Sequence, residues 1–354
     1  MGGALESSNA ARKQYSFGFL RLFFASLVIV GHTPELVDGN RGREILTRMF
    51  GSISVGEIAV DAFFIISGFL ISLSYMQSQS PTDYLRKRIA RIYPGFAVAH
   101  LVCAVVIAPL VGGAMIGSWY KWTARELMSI GMLHWPTSPG AFAGTPHPFL
   151  NGSMWTVRWE FLCYLLVLTF GTLGLLSKRV GLGVASLTVL IVAAIMPADL
   201  IARMGEYHEA LRLLGCFLAG AAFCGFYNAR TFRPMSIVVA SSGLMLALLN
   251  ARTAHLGVAY FGGYLIFAAA HRIHGTTLGR VNEGGIDVSY GVYLYAWPIE
   301  KLLIRFGGGS SLFLLAAATW VLALVCGAIS WTLIERPAIR LAKTPRLIEI
   351  KAVN

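Results

Sequence analysis

Charge is what this 354-residue chain has least of: Asp and Glu number 17, and all charged residues together make up 13% of the sequence. That is about half the share of an ordinary soluble domain. With hydrophobic residues at 56%, the shortage excludes a soluble globular protein and indicates an integral membrane protein. Cysteine is sparse as well. All five (Cys103, Cys163, Cys216, Cys224, Cys326) fall inside apolar stretches without metal-ligand spacing. Neither a disulfide framework nor a metal site is expected, and they read as small packing residues. Low-complexity linkers, an appended soluble domain and a convincing internal repeat are all missing. One membrane domain over 1–354 is expected, with a cytoplasmic N-terminal segment at 1–17 and a cytoplasmic tail at 336–354.

What the chain does have is long apolar runs, and a helix needs roughly 20 residues to cross a bilayer core. Ten spans are predicted, at 18–36, 58–76, 92–112, 153–175, 180–199, 211–227, 235–250, 256–271, 288–306 and 312–334. The stretch 235–250 is short, and 123–135 reads as an extra interfacial helix. The fold class is therefore all-α, a polytopic helical bundle of about ten transmembrane helices. The first span lacks a cleavage-site pattern and reads as a retained helix rather than a signal peptide. An even count puts both termini on one side. Lys and Arg number 17 in the loops and ends of that side and 8 in the opposite set, so both termini are expected in the cytoplasm. Membrane orientation accounts for much of the net charge of +12, and no nucleic-acid partner is expected. The two longer loops, 37–57 and 113–152, fall outside.

A charged group in a membrane helix is costly unless paired or facing a cavity, so each one is a functional candidate. In "RLFFASLVIVGH" (21–32), Arg21 and His32 are eleven positions apart. They return to nearly one helix face, about 16 Å apart along the axis, with Arg21 in the cytoplasmic half and His32 near the outer surface. Asp61, in "EIAVDAFFIISGFLISLSY", falls at a similar depth from the outside. It is expected to orient the imidazole of His32 for general-base work. Glu160, in "SMWTVRWEFLCY", also enters from outside and is the other carboxylate candidate; Trp155, at the head of that span, is a substrate-contact candidate. His100 has no such company and reads as a hydrogen-bonded packing residue.

At the inner surface, "RKRIARIYP" sets Arg88 and Arg91 three apart. If the third helix reaches back this far, they form one fork suited to phosphates; topology alone would also place basic residues here. Ser67–Gly68 offers bare backbone, either for helix packing or for a slender ligand. The ninth span, "SYGVYLYAWPIEKLL", carries Pro298, which frees a backbone carbonyl. Its tyrosines read as interfacial anchors, or, at Tyr290, as a contact for a bound donor. The pattern is an anion grip inside, a base outside and a polar track between them.

Together these segments resemble acyltransferase family 3, the membrane-bound O-acyltransferases, and especially bacterial exopolysaccharide and lipopolysaccharide O-acetyltransferases. The likeness rests on "RLFFASLVIVGH", "VDAFFIISGFLIS", "RKRIARIYP", "WTVRWEFLCY", "SYGVYLYAWPIEKLL" and "LIERPAIR", in this order across nearly the whole chain. It implies about ten transmembrane helices with cytoplasmic ends in the inner membrane. It implies acetyl-coenzyme A as a cytoplasmic co-substrate, without a tightly bound cofactor, and a glycan hydroxyl as external acceptor. It further implies that His32 is catalytic, Arg21 essential nearby, and Arg88 and Arg91 contacts for coenzyme A. The chain departs from the pattern at Ala296, where many members carry His, and at Cys163, where Phe is common. A proton-coupled carrier is the competing class, since buried His, Asp and Glu also build proton relays, but paired broken halves are not visible.

Overall fold

The computed structural model describes residues 16–115, 117–226, 232–281 and 286–343. Among them the chain is helical throughout, without strands. The main elements are α1 (Phe17–Asp38), α2 (Val55–Met76), α3 (Pro81–Leu101), α4 (Trp119–Gly131), α5 (Trp155–Thr172), α6 (Arg179–Ile195), α7 (Ala198–Met204), α8 (Glu206–Phe226) and α9 (Pro234–Leu248). They continue with α10 (Ala251–Gly257, prolonged through a π turn to Ile273), α11 (Ser289–Arg305) and α12 (Leu312–Ser330, prolonged through a π turn to Lys343). The expected end segments 1–17 and 336–354 lie outside the described residues over 1–15 and 344–354. The helix of α12 continues from 336 to 343 without a break.

Helix α2 is the hub, lying between α1 and α8. Two glycine contacts set these approaches. A Cβ on Gly68 would stand 1.9 Å from the carbonyl oxygen of Phe217, and one on Gly220 equally close to that of Ile65, so α2 and α8 touch backbone to backbone. A Cβ on Gly31 would meet the amide nitrogen of Gly56 at 2.6 Å, which brings the His32 turn of α1 against the start of α2. That start is fixed by a capping box between Ser54 and Glu57, which satisfies two of the end amides.

Among the described residues five helices are long and apolar enough to cross a membrane: Phe17–Asp38, Val55–Met76, Pro81–Leu110, Ala251–Ile273 and Leu312–Ala342; a sixth arises if α6 and α7, bent by 108°, count as one span. The other predicted spans are helical but shorter or more polar, for an identifiable reason. Helix α8 carries Arg212, buried and paired with the more exposed Glu209, and α11 carries Glu300 and Lys301, both buried and hydrogen-bonded. Helix α3 also starts eleven residues before the predicted boundary. Ser80 accepts from the amide of Asp83 and Pro81 takes the first turn, the usual opening of a helix. Hydropathy marks only its apolar part. The predicted interfacial helix is α4; Trp119, Tyr120, Leu127 and Met128 are exposed on it, while buried Glu126 reaches His100 at 2.8 Å.

Candidate active site

Because α3 begins at Pro81, Arg88 and Arg91 lie in its N-terminal half, and both line a cavity of about 370 Å³. Arg21, Ser67, Glu160 and Tyr290 line the same cavity, so six of the residues singled out in the sequence meet there. Arg91 donates to Asp287 (2.6 Å) and to Glu335 (3.4 Å), with its guanidinium over the rings of Tyr290 and Trp331. Arg21 reaches the same oxygen of Asp287 at 2.5 Å. Arg88 donates to Ser74 at 3.2 Å and lies over Tyr84 and Tyr164. Its Nε is buried without a partner, so this guanidinium keeps donor capacity for an anion.

Glu160 belongs to this cavity and not to His32. It accepts from Ser67 at 3.0 Å and from Tyr164 at 2.6 Å. The Ser67–Gly68 alternatives thus divide between the two residues, Gly68 serving packing and Ser67 facing the cavity. Tyr290 is no interfacial anchor, since its hydroxyl donates to the Ile92 carbonyl at 3.0 Å, tying α11 to α3. Trp155 packs half-buried against the core, and its neighbour Thr156 takes the place on the cavity wall.

The expected pairing of Asp61 with His32 does not form. Asp61 is fully buried, ion-paired to Arg212 of α8, and it accepts from Nδ1 of His255 on α10 at 2.7 Å. Equal depth did not suffice, because Asp61 faces α8 and α10. The carboxylate beside His32 is Glu35, one turn further along α1, with Oε2 at 3.6 Å from Nδ1. Its other oxygen stands 3.3 Å from Nε2 of His147, in the loop before α5. Trp297 lies edge-on to both imidazoles, with ring centroids 5.2 and 6.4 Å away.

Two aromatic residues of α11 stand between the cavity and the His32 cluster. Tyr293 lines the cavity and shares a 2.6 Å hydrogen bond with Thr156; Trp297, four residues on and roughly 6 Å higher, touches His32. Pro298 cannot donate to the carbonyl of Leu294, and Asn151 does so instead at 2.7 Å. Glu300 accepts from Thr33 at 2.5 Å beside His32.

The model for an acyltransferase domain matches residues 14–335. The chain belongs to acyltransferase family 3. Its relatives include an O-acetyl transferase of Shigella phage Sf6, 28% identical over 92% of this chain and 96% of that protein. Nodulation protein 10 of Rhizobium leguminosarum bv. viciae is 26% identical over 96% and 97%. Acyltransferase MdmB of Streptomyces mycarofaciens is 29% identical over 41% and 36%. No solved structure matches the chain. As an acyltransferase 3 protein it is a membrane protein, in keeping with its apolar helices.

All six family segments in this chain contribute residues to the cavity wall, while His32, at the end of the first, stands beyond it. Sequence reading missed Glu35, His147, Asp287, Glu335 and the partners of Asp61. Glu35 had a signal in its i+3 spacing from His32, and Arg212 in being a lone cation inside an apolar stretch. His147, on a loop, had none.

Proposed function

We propose that this protein transfers an acyl group, most simply acetyl, from a coenzyme A thioester on the cytoplasmic side to a hydroxyl of an external glycan. This reading takes up ten membrane crossings, counting the shorter and more polar helices, with both ends cytoplasmic in the inner membrane. The observation that carries it is the line of polar groups from Arg88, Arg91 and Arg21, along the cavity, to the Tyr293–Trp297 ladder and His32. The arginine-lined end suits the phosphates of a nucleotide thioester, and the cavity gives room for its slender arm. The relative named as an O-acetyl transferase supports acetyl as the group and oxygen as the acceptor atom.

In this mechanism His32 accepts the proton of the acceptor hydroxyl as that oxygen bonds to the thioester carbonyl carbon. The tetrahedral adduct then collapses, the carbon–sulfur bond breaks, and the imidazolium returns the proton to the departing thiolate. Glu35 orients the ring and offsets its transient charge. A sugar hydroxyl is a weak nucleophile at neutral pH, and a positioned base contributes about 10²–10⁴-fold. Arg88 and Arg91 hold the donor's phosphates, Arg21 guides the arm, and Ser67, Glu160 and Tyr290 line its path.

Purified protein supplied with radiolabelled acetyl-coenzyme A should hydrolyse it slowly and pass label to lipid-linked sugars. Inertness toward both, with vesicle uptake of a solute in the absence of any thioester, would overturn the proposal in favour of a carrier.

A further inference from the structure

We infer that His147 is a second, positioning histidine of the acyl transfer: it holds Glu35 from the side opposite His32 and so fixes the carboxylate that orients the base. The inference rests on the reading of His32 as that base. Glu35 uses its two oxygens on two different imidazoles, Oε2 toward Nδ1 of His32 at 3.6 Å and Oε1 toward Nε2 of His147 at 3.3 Å. The side chains of both histidines are about a third exposed, 30% and 33%, whereas Glu35 between them is 20% exposed. A carboxylate held by one flexible contact can swing; one held from both sides keeps a single orientation, and positioning of this kind is what general-base catalysis depends on.

The loop that supplies His147 is fastened on both sides of it. Lys301 of α11 donates to Thr145 Oγ1 at 2.7 Å and to the Pro146 carbonyl at 2.9 Å. On the other side, the indole of Trp297 donates to the Phe149 carbonyl at 3.3 Å, and Asn151 donates to the Leu294 carbonyl. Between these fastenings His147 adopts φ +52°, the left-handed region that a residue with a Cβ enters at a cost. Strained backbone persists where surrounding contacts impose it, and such residues cluster at functional sites. Here the contacts come from α11, the same helix whose Trp297 touches His32. The loop, the base and the cavity ladder therefore share one frame.

The role predicts a separation that loop architecture alone would not produce. Asn tolerates the left-handed backbone but is too short to reach Glu35, whereas Gln brings an amide N–H to about the place of Nε2. The test uses the full chain in membrane vesicles of its host. It measures label transfer from radiolabelled acetyl-coenzyme A into the vesicles' own glycan and lipid-linked sugars, with donor KM determined alongside. His147→Asn should lower kcat about tenfold or more with donor KM unchanged, and His147→Gln should recover most of that loss. Full kcat in folded His147→Asn, or Gln no better than Asn, would overturn the inference. His32→Ala is run in parallel. If it is inactive while His147→Asn is fully active, only the role of His147 falls; if His32→Ala transfers normally, the base falls and His147 with it.

Discussion

Nδ1 of His32 lies 3.6 Å from Oε2 of Glu35, one turn along the same helix. This relation replaces the one expected with Asp61, and in the proposed mechanism the residue that orients the base moves rigidly with it. An amide at position 35 cannot stabilise imidazolium charge, so Glu35→Gln should reduce acyl transfer at least about tenfold while donor KM stays unchanged. Steady-state kinetics on the two variants Glu35→Gln and Asp61→Asn give the comparison. A normal kcat in Glu35→Gln would return the carboxylate's role to another residue.

Arg88 and Arg91 share the cavity wall but not the same surroundings. Arg91 is engaged by Asp287 and Glu335, while Arg88 has a hydroxyl partner and a buried Nε without one. Arg88 is the cleaner probe of donor binding. A charge-assisted contact is worth about 1.5–3 kcal/mol, so Arg88→Ala should raise donor KM about tenfold to a hundredfold. Arg88→Lys should restore part of it, lacking the planar fork. Unchanged donor KM in both variants would leave the arginines as orientation signals.

What the sequence disclosed depended on how many coordinates a feature needs. Residues three or eleven apart on one helix need only the helical repeat, and Arg88 with Arg91, like Arg21 with His32, were placed on shared faces without a structure. A pairing between helices needs depth and azimuth together; depth alone suggested Asp61 for His32, whereas the glycine contacts that bring α2 against α8 join segments about 150 residues apart. Hydropathy located the apolar middles of helices but not their ends. Ser80 and Pro81 marked the start of α3 in capping chemistry, and Glu335 sits inside the π turn that prolongs α12. His147 was illegible because a loop has no period to read.

The proposed topology can be tested separately. With cytoplasmic ends and ten crossings, reporter tags inserted after Lys178 and at either terminus should report the cytoplasm, and tags near Gly42 or Gly144 the outside. Arg43 and the loop carrying His147 would then share the face of His32. A cytoplasmic report from Gly144 would place the histidine cluster on the donor's side and overturn the transmembrane hand-over.

Asp61 provides the sharpest contrast between a structural and a catalytic reading. Its carboxylate is fully buried between Arg212 and His255, and Arg212 is itself buried and held by Glu209 on its own helix. Removing one member of a buried ion pair leaves the other charge without compensation, at a cost of about 3–5 kcal/mol. Asp61→Asn and Arg212→Met should therefore each lower the melting temperature of the detergent-solubilised protein markedly. The double variant Asp61→Leu with Arg212→Met should recover much of the loss, because no stranded charge remains and the site can pack as apolar core. Transfer per folded molecule should stay within a few-fold of wild type in all of them, since the proposed chemistry runs through His32 and Glu35. The decisive measurement is kcat normalised to folded protein for Asp61→Asn. A loss near a hundredfold with stability intact would make Asp61 part of the catalytic apparatus, acting through His255, and would mean that the outer face of the bundle carries a second histidine–carboxylate pair in the reaction.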